Sequence, residues 1–205
     1  MSQTLFSRRP FLMLLVAVSL GLFASLFSAR AAEADAFIRQ VGNDTLKALE
    51  DRAITQDKRE QLLRELLNTH LDLEAVGRFC LGRYNRSLTE AQRPEYQKLF
   101  EDYLVKVYSQ LLAQYDGQKF EVREGARAAG SESIVDSQII RQNGPPIRVE
   151  WKVHDKNGKP LVTDVVVEGV SMAFTQRQQF ESVIQNNGGK IEALFAAMKK
   201  QIARR

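Results

Sequence analysis

Residues 147–168 read IRVEWKVHDKNGKPLVTDVVVE, and the pattern of this stretch predicts a β-hairpin. In its first half, apolar and polar residues alternate, as in a strand with one buried face and one solvent-exposed face. The apolar set is Ile147, Val149, Trp151 and Val153, and the polar set is Arg148, Glu150, Lys152 and His154. Asn157-Gly158 is typical of a two-residue hairpin turn. A strand over 147–155 is therefore expected to pair antiparallel with a strand over 161–168.

Two more strands are predicted before the hairpin, over 119–125 and 132–142. Pro145-Pro146 separates the second of them from the hairpin, because proline cannot donate a hydrogen bond to a strand ladder. Strands joined by such short connections pair antiparallel. The sequence thus predicts a curved four-stranded antiparallel sheet.

The clearest helix follows Thr89, which forms a capping box with Gln92. Apolar residues then recur at alternating spacings of three and four for about five turns, and Asp116-Gly117 ends the helix. The stripe consists of Tyr96, Leu99, Phe100, Tyr103, Leu104, Val107, Tyr108, Leu111, Leu112 and Tyr115. Shorter helices are predicted over 33–50, 55–70, 73–83, 174–186 and 190–203. This order of elements predicts an α+β fold in which helices pack on one face of the sheet.

The first 31 residues have the features of an export signal. Arg8-Arg9 gives a basic start, residues 11–29 carry no charge, and Ala29-Arg30-Ala31 fits a signal-peptidase site. Cleavage after Ala31 would deliver the protein to the periplasm, and the paired arginines leave both the Sec and the twin-arginine routes open. A retained membrane anchor is the alternative, because the uncharged stretch is just long enough to span a bilayer.

The expected organisation is a cleaved signal over 1–31 and a single domain over 32–205. Within the domain, residues 32–117 are expected to be mainly helical, 118–169 to form the sheet, and 170–205 to form the C-terminal helices.

The charge of the chain argues against a nucleic-acid partner. The formal net charge is +4, but residues 1–31 contain three arginines and no acidic residue, so the remaining 174 residues carry a net charge of +1. A protein that binds a phosphate backbone needs clustered, uncompensated basic residues. The single cysteine, Cys80, cannot form an internal disulfide and fits a helical pattern, so we expect it to be buried as a small hydrophobic residue.

Few residues fit catalytic or metal-binding chemistry, and no enzyme activity is expected. His70 and His154 are the only histidines, and neither has a cysteine or carboxylate at metal-ligand spacing. The sequence contains no glycine-rich phosphate loop and no Gly-x-Ser-x-Gly nucleophile motif. Asp164 is the one carboxylate that could lie near a pocket, and its alternative is an outward-facing residue or a local hydrogen-bond acceptor.

The chain has instead a surplus of apolar and aromatic residues on the long helix and on the predicted hairpin. A cavity between a concave sheet and a helix layer is a frequent site for an apolar ligand. Periodicity alone leaves two possibilities open, a filled core and a hollow one.

Three stretches resemble the family of periplasmic phospholipid-binding proteins that serve the Mla lipid-asymmetry transport system, also called the toluene-tolerance auxiliary family. The first runs from Leu71-Asp72-Leu73 to Leu81-Gly82-Arg83, and the second is the long helix with Tyr115-Asp116-Gly117. The third is residues 164–171, DVVVEGVS, followed by Arg177-Gln178-Gln179-Phe180. Together they span essentially the whole of residues 32–205. The sequence around Asp164 also resembles that of the family branch associated with hopanoid lipids.

The resemblance implies a carrier that encloses lipid acyl chains in an apolar cavity between sheet and helices. It implies a phospholipid or hopanoid-type lipid as cargo, with no other cofactor. It also implies two partners, an inner-membrane ABC transporter with its membrane-anchored substrate-binding component, and an outer-membrane lipoprotein complex. We expect the cavity to be lined by Leu104, Tyr108, Leu111, Tyr115, Val149, Trp151, Val153, Val165, Val167, Phe174 and Phe180.

Arg177 is the one polar residue predicted to contact the lipid headgroup, and its alternative is a structural ion pair. Two other classes of function stay open. One is an isomerase or dehydratase of related shape, which would need Asp164 or His154 to face the cavity. The other is an adaptor or chaperone with a solid core.

Overall fold

A computed structural model describes residues 30–47, 49 and 54–204. The predicted export signal therefore lies almost entirely outside the described residues. The described part contains six α-helices: α1 covers residues 30–47, α2 is Gln56–His70, α3 is Leu73–Leu81, α4 is Gln92–Leu112, α5 is Met172–Gln185 and α6 is Ile191–Ile202. A short 3-10 helix, Gly82–Ser87, follows α3. The predicted helices are all present, and the ends that are described agree to within about three residues.

Local capping explains where the helices begin. The Thr55 hydroxyl accepts a hydrogen bond from the Lys58 amide at the start of α2, and the Ser171 hydroxyl accepts one from the Phe174 amide at the start of α5. The predicted capping box before α4 is confirmed. The Thr89 amide donates to Gln92 Oε1 at 3.0 Å, and the Gln92 amide donates to Thr89 Oγ1 at 3.3 Å.

The sheet has six strands within the described residues, so the predicted number of four is wrong. The strands are β1 (Lys119–Val122), β2 (Arg127–Ala129), β3 (Glu132–Ile140), β4 (Ile147–Lys156), β5 (Lys159–Val167) and β6 (Val170–Ser171). All neighbours pair antiparallel in the order β1-β3-β4-β5-β6, and β2 pairs with the other half of β3. The predicted first strand, 119–125, ends earlier, at Val122, and Gly125 after it has a φ of +99°. β2 lies beyond the predicted range, and β6 is a two-residue strand that turns back onto β5 after Gly169.

The predicted hairpin joins β4 to β5 through Asn157 and Gly158, whose φ values of 58° and 80° fit a tight two-residue turn. A β-bulge interrupts the pairing of these strands. Lys152 pairs with Asp164 and Val153 pairs with Val162, so Thr163 is an extra residue in β5.

The register gives the sheet an apolar face and a polar face. The apolar face carries Ser133, Val135, Ser137, Val149, Trp151, Val153, Val162, Val165 and Val167. The polar face carries Glu132, Asp136, Gln138, Glu150, Lys152, His154 and Asp164.

Two separate groups of buried side chains form the core. The helical cluster joins α3, α4, α5 and α6; its largest members include Phe100, Phe180, Leu194, Phe195 and Met198. The sheet cluster packs α1 on the apolar face; it consists of Ala34, Phe37, Ile38, Val41, Val135, Val153 and Val162. The observed architecture is therefore an α+β fold, as predicted, but with two cores.

Candidate functional site

The two clusters meet at Leu71, the first of the two residues between α2 and α3. Among the described residues, Leu71 is the one partly buried side chain that packs against both clusters. A parallel bridge to Val162 and a hydrogen bond from the Asp72 amide to the Val162 carbonyl oxygen, 2.9 Å long, hold this segment against β5. We call the boundary between the clusters the seam. Large half-buried side chains pack against each cluster, namely Leu67, Tyr103 and Tyr108 against the helical one and Phe120, Trp151 and Val165 against the sheet one.

Five of the predicted site residues lie on the apolar face of the sheet. Val153 is fully inside the sheet cluster. Trp151 and Val165 are half-buried at its edge, and Val167 is half-buried next to them on β5. Val149 is buried but belongs to neither cluster. On the apolar face, Val165 and Val167 of β5 are thus less completely covered than Val149 and Val153 of β4.

The helices hold the next group of predicted residues. Leu104 and Phe180 are buried members of the helical cluster. Tyr108 packs on the edge of that cluster, and burial raises the pKa of its hydroxyl; the charge of Asp164 on β5 contributes in the same direction. Tyr115 is half-buried just after α4. Leu111 lies in α4, and its side chain is outside the described part.

The other two predicted residues lie near the start of α5. Phe174 is 50% exposed. The Arg177 Nε donates to Glu181 Oε1 at 3.1 Å, and the guanidinium lies 5.5 Å from the centre of the Phe79 ring. A Cβ on Gly82 would lie 2.7 Å from the Arg177 Nε. This is the geometry of the structural ion pair that the sequence left open as the alternative to headgroup contact.

His154, one of the two residues considered for acid–base chemistry, lies on the polar face. Its Nε2 is 2.9 Å from Asp72 Oδ2. Asp72 is 3% exposed, caps α3 through the Ala75 amide and also accepts a hydrogen bond from Lys156 at 3.0 Å. Burial opposes ionisation of Asp72, but these donors outweigh it, and the pKa of Asp72 lies below its usual value.

Asp164, the other residue considered, also lies on the polar face. Its two carboxylate oxygens accept hydrogen bonds from Lys152 at 3.0 Å, the Ser171 hydroxyl at 2.7 Å and the Ala173 amide at 3.1 Å. Asp164 therefore joins β5 to the start of α5, as a local acceptor. The Asp164 and His154 side chains both belong to the face opposite Trp151 and Val165.

Cys80 is fully buried in the helical cluster, as predicted. Burial, with a contribution from the charge of Asp164, raises the pKa of its thiol to about 12. A thiol with this pKa is not a nucleophile near neutral pH, because the thiolate is the reactive form.

Three surface pockets of similar size flank the structure. A pocket of about 410 Å³ lies between α1 and α2 and is lined by Ile54, Leu62, Leu66 and His70 among others. A second, of about 460 Å³, lies beside Arg30 and Val153, and a third, of about 400 Å³, lies on the polar face beside Phe79. Pockets of this size suit small ligands, so a two-chain lipid requires additional space.

Two further properties bear on the kind of site. Within residues 30–47, 49 and 54–204, no three His, Cys, Asp or Glu side chains come together as metal ligands. In the same part of the chain, no helix has the length and apolar character needed to span a membrane.

Comparison with known proteins identifies the family. Residues 39–200 match the family described as MlaC protein. The chain belongs to the MlaC family. It is 28% identical over 144 residues to the "intermembrane phospholipid transport system binding protein MlaC" of Haemophilus influenzae, and 22% identical over 143 residues to the "toluene tolerance protein ttg2D" of Pseudomonas putida. These matches cover 68% and 69% of this chain and 66% of each relative, just under two thirds of their length.

A solved structure of similar fold is the phospholipid-binding protein from Ralstonia solanacearum, determined in complex with a phospholipid. The TM-score is 0.74 at 23% identity, and the match covers 83% of this chain and 97% of that protein. The α+β fold predicted for the MlaC family is therefore the fold observed here. At this identity the likeness concerns the fold alone.

Sequence reasoning missed two residues that shape the sheet side of the seam. The Ser137 hydroxyl accepts a hydrogen bond from Trp151 Nε1 at 2.8 Å, and the Phe120 ring stands edge-on to the indole with centroids 5.9 Å apart. The alternation over 132–142 places Ser137 on the same face as Val135, and that signal could have identified it. Phe120 could not be assigned in this way, because its position depends on which half of β3 pairs with β1.

Proposed function

We propose that the protein is a periplasmic lipid carrier that holds the acyl chains of a phospholipid in the seam between its two apolar clusters. The names of its MlaC-family relatives, which refer to phospholipid transport and toluene tolerance, support this proposal. So does the phospholipid-bound protein of similar fold. The carrier is proposed to act without a cofactor and without enzymatic activity.

The observation that carries the proposal is the division of the core into two clusters joined at Leu71. A domain of this length normally forms one contiguous core. Here half-buried aromatic and aliphatic side chains pack against both clusters, among them Tyr108 against the helical one and Trp151 against the sheet one. Covering such apolar surfaces with an apolar ligand removes them from water and lowers the free energy of the complex.

The physics of a carrier requires that the cargo can leave. Each buried methylene contributes roughly 0.8 kcal/mol, so two long acyl chains in a rigid, closed cavity would hardly dissociate. Two cores can separate and close without disrupting the packing inside either one. A partner that favours the separated state would then lower the affinity for lipid.

The proposed route runs between an outer-membrane lipoprotein complex and an inner-membrane ABC transporter with its membrane-anchored binding component. The proposed cargo is a glycerophospholipid, with a hopanoid-type lipid as the alternative. Export through a cleaved signal over residues 1–31 would bring the protein to the periplasm.

A pair of adjacent valines on β5 tests the seam directly. Val165 lies on the apolar face and Val166 on the polar face, and both are half-buried. Val165→Trp is expected to fill the seam and to remove most of the lipid that co-purifies with the protein, while Val166→Trp keeps it. Native mass spectrometry of protein purified from its own periplasm measures the bound lipid and its mass.

The same experiment separates the carrier from the alternatives. A folded Val165→Trp protein with the wild-type lipid load would show that the seam is not the site, and Val167→Trp replaces it if circular dichroism shows that Val165→Trp does not fold. Wild-type protein that carries no lipid and takes none up would favour an adaptor or chaperone. Asp164 and His154 lie on the face opposite Trp151 and line the pocket beside Phe79. Both side chains are engaged in hydrogen bonds there, which disfavours the enzyme alternative.

A further inference from the structure

Trp151 is held in one orientation in the middle of the sheet. Its Nε1 donates to the Ser137 hydroxyl at 2.8 Å, and its ring meets Phe120 edge-on at an interplanar angle of 89°. Its partners across the two neighbouring strands are Val135 and Val165. A ring fixed by a hydrogen bond and an aromatic contact has little freedom to move aside.

Ser137 holds the indole of Trp151 in place through a hydrogen bond. Ser137 is 3% exposed. Its hydroxyl donates its proton to the Val149 carbonyl oxygen at 3.0 Å, so the hydroxyl oxygen is left to accept the hydrogen bond from the indole. The polar atom of Trp151 is therefore satisfied within the sheet. The remainder of the ring presents a purely apolar surface, which needs no water and suits contact with hydrocarbon.

The cover of the apolar face differs between its strands beside Trp151. On β3 and β4, Val135, Ser137, Val149 and Val153 are at most 3% exposed. On β5, Val165 and Val167 are half-buried, and Val162 beyond them is 2% exposed in the cluster that α1 covers. Trp151 itself is half-buried, although it lies in a central strand. An acyl chain that runs along the open part of this face meets the indole first and α1 behind it.

We infer that Trp151 forms the closed end of the acyl-chain site and limits the length of chain that the protein accepts, with Ser137 as the residue that positions it. This inference rests on the proposed function. It assigns selectivity for chain length to one side chain, whereas the carrier function requires only an apolar site.

The test uses the fluorescence of Trp151, the only tryptophan in the sequence. Full-length mature protein is stripped of lipid and loaded with phosphatidylglycerol whose acyl chains are brominated near the carbonyl end, at mid-chain or near the methyl end. Bromine quenches indole fluorescence at contact distance. Quenching is expected to rise from the carbonyl end to the methyl end, and native mass spectrometry confirms equal loading of the three lipids.

Each other outcome overturns the inference in a distinguishable way. Strongest quenching by bromine near the carbonyl end would place Trp151 at the mouth of the site. Equal loading with no quenching would remove Trp151 from the site while leaving the carrier function intact. Failure of all three lipids to bind would overturn the proposed function itself.

Two variants test selectivity and positioning. Trp151→Ala is expected to shift the co-purifying lipids toward longer chains. Ser137→Ala is expected to lower the fluorescence anisotropy of Trp151 and to broaden the range of chain lengths, because it frees the indole. Ser133→Ala is the matched control, since Ser133 is a buried serine on the same face of β3. An unchanged chain-length profile in both Trp151→Ala and Ser137→Ala would contradict the inference.

Discussion

Asp72 shows how one side chain joins several elements of this protein. It caps α3 through the Ala75 amide and binds His154 and Lys156 of β4. Its own amide donates to Val162 on β5. The segment that connects the two clusters is therefore anchored to the sheet by charge-assisted hydrogen bonds as well as by Leu71, and these are stronger than neutral ones.

The lowered pKa of Asp72 predicts an acid-sensitive contribution to stability. The pKa of an aspartate is about 3.9 in the unfolded chain, and the pKa of Asp72 is lower in the folded protein. Ionised Asp72 therefore stabilises the fold at pH values above about 3.9. This contribution is lost as the pH falls through the folded pKa. Asp72→Asn is expected to reduce the free energy of unfolding by about 2 kcal/mol at pH near 7 and by less in acid. Urea unfolding across this pH range measures both effects.

Asp57→Asn is the matched control, because Asp57 is an exposed residue in the first turn of α2. Its effect on the free energy of unfolding is expected to stay within about 0.5 kcal/mol at every pH. An Asp72→Asn protein that loses as much stability in acid as the wild type would contradict the assignment.

At the level of elements, α2 is attached to α4 through polar side chains. Arg64 forms ion pairs of 2.8 Å with both Glu101 and Asp102, and Lys106 pairs with Glu60 at 3.2 Å. Ser109, buried in α4, accepts a hydrogen bond from Gln56. These polar groups can be hydrated again if the two helices separate, whereas Leu67 of α2 would lose its apolar contact with the helical cluster.

Arg64→Met tests this attachment. The side chain is 41% exposed, so the ion pairs are partly screened, and we expect a loss of about 1 kcal/mol in the free energy of unfolding together with faster amide exchange in α2. Arg78→Met is the control, since Arg78 pairs only with Glu74 within α3 among the described ion pairs, and its loss is expected to stay below about 0.5 kcal/mol. Equal amide exchange in the two variants would argue against a polar attachment.

The elements that could be predicted from sequence are those with local causes. α4 follows from its apolar spacing and from Thr89 and Gln92, which cap it without help from the rest of the fold. The hairpin turn follows from Asn157-Gly158. β6 has only two residues, and β2 has three exposed ones, so neither shows a period. Such strands exist because a partner strand is already in place.

At the level of the whole molecule, the division into two clusters could not be predicted. Val153 and Val165 share the same alternating pattern, yet α1 covers the first and leaves the second half-buried. The site residues could be assigned to faces, but whether each faces core or seam depends on where α1 crosses the sheet. For Arg177, spacing could not distinguish headgroup contact from the observed pair with Glu181.

Lipid binding is expected to stabilise the molecule as a whole, because bound acyl chains would connect the two clusters. With lipid in about hundredfold excess over the dissociation constant, the midpoint of thermal unfolding is expected to rise by roughly 5–10 °C. Calorimetry of stripped and loaded protein measures this shift, and Val165→Trp is expected to show none. A loaded wild-type protein that unfolds at the same temperature as the stripped protein would contradict this expectation.

The extra residue in β5 makes the fold sensitive to insertions and deletions in this strand. Thr163 shifts the strand by one position, so that Val162 and Val165 reach the same face while Asp164 reaches Lys152 and Ser171 on the other. Deleting it would exchange the two faces over half of the strand, whereas replacing it would keep them. The length of this strand is thus more constrained than the loops that flank it, and gaps among related genes should fall in those loops.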